Sequence, residues 1–257
     1  MDNQKKNSSH VKVKDGIATI NAANMHYRNL NSLIKAHNNP IKEIHVRKVY
    51  GQRYIGTGLK GSMELHLYGT PGNDLAAFMD GPTVYVHGNA QDGVGNTMNS
   101  GKVVVYGHSG DITGYSMRGG KIFVRDDVGY RTGIHMKEYQ EVKPTLVIGG
   151  SARDFLGEYM AGGIILVLGL NLPPGQRHES KFVGTGMHGG VIYTCADMAH
   201  LGKEVAVMPV DENDMHVIQG LVKEFCGYFS FDFDEDMKRK FVKIAPVSHR
   251  PYGRLYA

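Results

Sequence analysis

The sequence predicts an all-β fold: a parallel β-helix, or β-solenoid, of about seven coils, flanked by N- and C-terminal helices. Three observations predict it. Glycine makes up 34 of the 257 residues, and 29 of these lie between Gly51 and Gly190. Methionine recurs through that stretch at regular spacing. Short β-branched runs separate the glycine-rich segments. Glycine at this density excludes a helix bundle, because each interior glycine costs a helix about 1 kcal/mol. Collagen is excluded by the lack of a glycine at every third residue. The apolar residues between the glycines argue against a disordered linker.

Taken along the chain, residues 1–16 (MDNQKKNSSHVKVKDG) are polar, read as a flexible N-terminus and carry no apolar signal core. Region 17–42 leads into the repeat. Within it NMHYRNLNSLIKAH (24–37) places Met25, Leu30, Leu33 and Ile34 at roughly helical spacing, which predicts a helix.

Residues 43–210 carry the repeat. Its methionines are Met79, Met98, Met117, Met136, Met160 and Met187, spaced 19, 19, 19, 24 and 27 residues apart, with Leu59 standing 20 before Met79. Three residues before each comes a second column: Gly56, Ala76, Gly95, Gly114, Gly133, Gly157 and Gly184. Between these corners MELHLYG, PTVYVHG, KVVVYGH, KIFVRDD, PTLVIGG and IILVLGL read as strands. A unit this short cannot bury its own apolar face, and stacking solves the problem. The methionine column then faces inward, where its flexibility fills irregular gaps. The glycine column marks corners that need φ > 0 or have no room for a Cβ. The longer spacings place insertions at 137–145 and 171–180, read as loops leaving the rod.

Past the repeat, LGKEVAVMPV reads as a last strand. Residues 211–257 read as a helical cap and tail. Asp211 to Phe225 is a predicted helix, capped by DEND, with Met215, Ile218, Leu221, Val222 and Phe225 on one face. A second short helix follows over 234–241, then a Pro/Gly-rich extension, PVSHRPYGRLYA. Helices at both ends are expected to cap the solenoid edges, which otherwise invite edge-to-edge association.

The bulk numbers narrow the function. The formal charge is +4, but the basic residues are scattered, so nucleic acid is not an expected partner. The longest apolar run, 162–172, is too short to span a bilayer, so no membrane is expected either. Cys195 and Cys226 make no disulfide or metal framework, which points to a reducing, cytoplasmic setting.

Few motifs carry chemistry. GTGLKG (56–61) and GTGMHG (184–189) match G-x-G-x-x-G, but each leads to a strand rather than a helix, and both are instances of the corner pattern. His66, His87 and His108 lie near strand ends at 13, 11 and 9 residues before the methionine column, so no aligned histidine ladder and no metal site are expected. Cys195 with His200 lacks an orienting third group. D-x-D-x-D at 232–236 lacks the glycine and glutamate of a calcium loop, Met237 and Lys243 standing there instead. Asp74, Asp92, Asp111 and Asp154 read as turn caps. No catalytic or cofactor-binding residue is expected in this chain.

Segments such as GDITGYSMRGGKIFV and GEYMAGGIILVLG resemble the GXGXG domain, the C-terminal domain of the glutamate synthase large subunit. The same repeat occurs in one of the subunits of formylmethanofuran dehydrogenase. The flanks NMHYRNLNSLIKAH and GLVKEFCGYFSFDFDEDMKRKFVKIAP are similar to the glutamate synthase branch, and the resemblance covers about residues 17–248. It implies a right-handed β-helix that is architectural rather than catalytic. It also implies a place in glutamate biosynthesis and nitrogen metabolism, as a subunit beside a glutaminase (amidotransferase) partner and a synthase partner holding FMN and an iron–sulfur cluster. The alternative is a scaffold in a formylmethanofuran-dehydrogenase-type complex. A third reading, of another class, is a freestanding enzyme using histidines on one face of the rod. Self-association into a homo-oligomer stays open.

Overall fold

A unit of about twenty residues buries its apolar side only against copies of itself, and the chain does so. The computed structural model describes residues 10–38, 40–173 and 175–247. Twelve strands form one sheet, in the order β1-β2-β3-β4-β5-β6-β7-β8-β9-β10-β12-β11. Strand β2 is Ile17–Asn21, β3 Glu43–Tyr50, β4 Glu64–Thr70, β5 Thr83–His87 and β6 Lys102–Val105. Then come β7 (Lys121–Val124), β8 (Thr145–Ile148), β9 (Ala161–Val167) and β10 (Gly189–Thr194). Each of these pairs in parallel with the next. The solenoid winds about six turns, with seven corners from Leu59 to Met187.

Alternation along each strand builds the core. Val46, Leu67, Val86, Val105, Val124, Ile148 and Val167 align in register and point inward, all at 1% exposure or less. Met79, Met98, Met117, Met136, Met160 and Met187 join the same cluster and are buried, as is Leu59. Burying each such side chain stabilises by about 1.5–3 kcal/mol.

The corners explain the glycines. In every corner the residues five, three and one before the methionine have positive φ. In the corner of Met136 these are Arg131, Gly133 and His135. The middle position alone faces the crowded interior. A Cβ on Gly133 would lie 2.5 Å from Ile165 Cδ1, and one on Gly95 would lie 2.4 Å from Ile122 Cδ1. Several of the outer positions are exposed, so they tolerate side chains such as Phe78 and Tyr159. Stacking satisfies the corner backbone. The N–H of Gly114 donates to Val94 O at 2.7 Å, and that of Gly133 to Thr113 O at 2.8 Å, and the pattern repeats from coil to coil.

Helix α1 occupies Tyr27–His37, three residues shorter at its start than the predicted 24–37. Leu30, Leu33 and Ile34 enter the methionine cluster, so α1 covers the open end of the interior. Asn31 and Asn38 tie it to the carbonyls of Arg53 and Lys60. Helix α2 runs over Glu212–Phe229, from the N-cap Asp211 and a capping box with Asp214. It does not cap the rod as expected. Its Ile218, Leu221, Val222 and Phe225 pack on Val104, Phe123, Val147 and Leu166, which face outward from the sheet, so α2 lies along the flank. This explains why KVVV, KIFV and TLVI are apolar without interruption: both faces of those strands are covered. Helix α3 is a single turn, Phe233–Met237, shorter than 234–241.

Strands, not helices, close the edges. Strand β12 (Val242–Pro246) inserts antiparallel between β10 and β11 (Val205–Met208). An added strand satisfies the edge N–H and C=O groups, which a helix cannot do. At the other end β1 (Val11–Lys14) forms an antiparallel pair with β2, so the supposedly flexible 1–16 contains an edge strand. The remainder, 1–9, and the tail 248–257 lie outside the described residues. The first insertion stays on the rod: Tyr139 bridges Val142, and Glu138 accepts the N–H of Gly163 at 2.9 Å. The second rejoins the stack at His178, which bridges Met198. Among the described residues no helix is long and apolar enough to cross a membrane.

Candidate functional site

The outer face of the first coils is not covered by α2, and here polar and aromatic side chains stack in columns. Register sets the columns. His45 aligns with His66 and then Tyr85; Arg47 aligns with Tyr68 and then His87. The rings lie nearly parallel: 4.7 Å between the centroids of His45 and His66, 4.7 Å from His66 to Tyr85, and 4.4 Å from Tyr68 to His87. Offset stacks of this kind add a modest attraction beyond burial. The Arg47 guanidinium lies 3.5 Å over the Tyr68 ring, a cation–π contact. Tyr106 and the α2 residue Phe229 close the far end at 5.2 Å.

The two nitrogens of each ring face different partners. His45 Nε2 lies 2.6 Å from Glu43 Oε1, and His66 Nε2 lies 3.9 Å from the same oxygen. Glu64 Oε2 is 3.7 Å from His66 Nε2. The opposite nitrogens are occupied elsewhere: His45 Nδ1 is 3.1 Å from Tyr68 OH, and His66 Nδ1 is 3.1 Å from His87 Nε2. Burial pushes the His66 imidazole below its ordinary value and His45 adds to this, despite Glu43 and Glu64. Burial lowers His87 too, followed by His66, His45 and Arg47. Both shifts favour the neutral imidazole.

His66, His87 and His108 form no aligned ladder, as expected, since His66 pairs with Tyr85 and Tyr68 with His87, but His45, outside that count, does align with His66. The offsets of 13, 11 and 9 do not exclude contact. A difference of two keeps side chains on one face of a strand, so His66 and His87 become diagonal neighbours, stacked at 5.4 Å. His45 precedes the first corner and so escapes a count taken from the methionines. The signal for it is a repeated Glu-x-His, Glu43–His45 and Glu64–His66, on adjoining coils. His108 does stand apart, accepting the N–H of Asp127.

The corner face carries a second set of rings. Phe155 stacks on Phe182 at 5.1 Å, His135 on Tyr159 at 5.3 Å, and Arg131 lies 4.4 Å over Phe155. These bulky residues occupy left-handed positions, yet Tyr159 and Phe182 are 48% and 51% exposed. Left-handed backbone costs a non-glycine residue about 1–2 kcal/mol.

The other candidates have structural roles. Asp92 and Asp154 accept N–H groups of Asp111 and Lys181 in the next coil, so they cap between coils rather than within a turn. Asp111 accepts from Tyr130 likewise, and Asp74 accepts from the Asn96 amide. GTGLKG and GTGMHG are corners leading to β4 and β10, without the helix a nucleotide site requires. Asp232 is the N-cap of α3. Burial pushes the Cys195 thiol up to about 12 and the Cys226 thiol up to about 11, so neither is a ready nucleophile. Buried His178 packs against Gly169, and burial lowers it to about 4.

The corner geometry makes the comparison with known proteins direct. A family profile described as GXGXG motif matches residues 10–247. The chain belongs to the GXGXG motif family. It is 50% identical over 250 residues to an uncharacterized protein, MJ1350, of Methanocaldococcus jannaschii, covering 92% of this chain and 95% of that one. A solved structure of similar fold is the formyltransferase/hydrolase complex FhcABCD from Methylorubrum extorquens, in complex with methylofuran. The TM-score is 0.58 at 16% identity, over 79% of this chain and 83% of that one. At that identity the likeness concerns the fold alone. The spacing in the family's name suits the structure, since G-x-G-x-G steps through the three left-handed positions of a corner.

Proposed function

We propose that this GXGXG protein is a non-catalytic, architectural subunit of a glutamate-synthase-type oxidoreductase complex. It holds a glutaminase partner against a synthase partner that carries FMN and an iron–sulfur cluster. The observation that carries this reading is the corner face, where Phe182, His135 and Tyr159 stand exposed and stacked in left-handed backbone, with Phe155 half-buried against Phe182. Rings held in solvent at a conformational cost gain most when a partner covers them. The cysteines support placing the cluster elsewhere. Most iron–sulfur clusters take four thiolates, whereas this chain has two cysteines, whose thiols burial disfavours as thiolates.

A second reading, a scaffold in a formylmethanofuran-dehydrogenase-type complex, is favoured by the fold shared with FhcABCD. One experiment separates them. The tagged chain is isolated gently from its native host, and the accompanying chains are identified by mass spectrometry. Glutaminase and flavin/iron–sulfur chains are the expected result. Molybdenum or tungsten subunits point to the second reading. Recovery of this chain alone sinks both.

A further inference from the structure

We propose that Glu43, His45 and His66, with Glu64 as a fourth donor, bind one zinc-class divalent cation on the outer face of β3 and β4. The four residues form a two-by-two array. Glu43 pairs in register with Glu64, and His45 with His66. Two carboxylates directly opposite each other on neighbouring strands repel, and a divalent cation between them removes that penalty. The array ends with the next coil, where Thr83 and Tyr85 take the corresponding places.

Orientation supports the assignment more strongly than composition. One donor atom from each of Glu43, His45 and His66 can be chosen so that all lie within 4.8 Å of one another. Both imidazoles turn Nε2 toward Glu43 Oε1, while each Nδ1 has its own partner, Tyr68 OH or His87 Nε2. Metal-bound histidines have this arrangement, with the far ring nitrogen hydrogen-bonded and the tautomer thereby set. A tetrahedral zinc site with bonds of about 2.0–2.1 Å separates its ligand atoms by roughly 3.3 Å. Small side-chain rotations reach that spacing: the 2.6 Å His45–Glu43 contact opens and the 3.9 Å His66–Glu43 separation closes. Imidazole with carboxylate suits zinc, cobalt or nickel, whereas calcium and magnesium prefer oxygen donors alone. The side chains are partly exposed, so an ion can enter from solvent. The inference is independent of the subunit role proposed above.

The test uses the full chain carrying a tag without histidines, stripped with chelator and titrated with zinc chloride by calorimetry. One zinc per chain is expected. Glu43→Gln and His66→Ala should each weaken binding roughly tenfold or more, and Tyr68→Phe, which alters only a supporting hydrogen bond, by about tenfold. His108→Ala should bind as the parent does. Circular dichroism shows which variants remain folded. The parent loaded with cobalt supplies a readout that needs no variant, through the visible bands of a tetrahedral nitrogen–oxygen site. Absence of saturable zinc binding by the folded parent overturns the proposal. Undiminished binding by folded His45→Ala/His66→Ala does so equally.

Discussion

At the residue scale, the glycines of one column do two different jobs. Gly56 and Gly133 both have φ near +74°, yet a Cβ on Gly56 meets nothing closer than 3.8 Å, while one on Gly133 meets Ile165 Cδ1 at 2.5 Å. Ala76 occupies the same column, also at positive φ, so the column admits a Cβ in at least one coil. Gly56→Ala should therefore cost about 1 kcal/mol, for backbone conformation alone. Gly133→Ala should cost about 2–4 kcal/mol, because overpacking adds to it. Denaturant melts of the two variants check this, and equal losses would show that conformation, not space, selects glycine. Sequence spacing revealed this column because corner length is constant from coil to coil. It did not reveal which members are crowded, since that depends on side chains such as Ile165, from a strand beyond the corner. The histidines were hidden for a related reason. They lie on strands, and a count taken from the corners does not show which of them share a face.

At the element scale, α2 is held to the sheet by packing and by two carboxylates, Asp214, which accepts from Tyr193 OH of β10 and Lys243 Nζ of β12, and Glu224. Glu224 accepts from Lys102 Nζ and Lys121 Nζ, each at 2.6 Å, and so bridges β6 and β7. Burial pushes the Glu224 carboxyl up, but the hydrogen bonds from the two lysines outweigh it and hold it below its usual value near 4.5. The folded state thus favours the ionised form. This contribution is complete above pH 4.5, and it is lost as pH falls through the lowered folded-state value. Melting temperature measured against pH should fall more steeply below that point for the parent than for Glu224→Gln. Parallel curves would show that the lysines do not depend on this partner. The helix itself was legible from its cap and its apolar face. Its position on the flank did not follow from that pattern, although the uninterrupted apolar strands KVVV, KIFV and TLVI required a cover. Strand β12 was illegible for another reason: it inserts between β10 and β11, and no periodicity reports a jump in strand order.

At the scale of the whole molecule, the stack is nearly one-dimensional, so each coil rests chiefly on its neighbours. Glu64 aligns with Thr83, a step of 83 minus 64, or 19 residues. Deleting 64–82 removes one such step and lets β3 pair with β5 in unchanged register. That variant should melt cooperatively, and it should lose the proposed zinc site with His66. Deleting Tyr85 alone should be worse, because every later side chain in its strand changes face. A broad, non-cooperative melt of the coil deletion, followed by circular dichroism, would count against independent coils.

The regular spacing of the strands also makes the rod a ruler. Whatever docks near β1 is kept from whatever docks near β11 by a whole number of graduations of about 4.8 Å each. Such a chain can change length in whole coils and still present each partner with the same face.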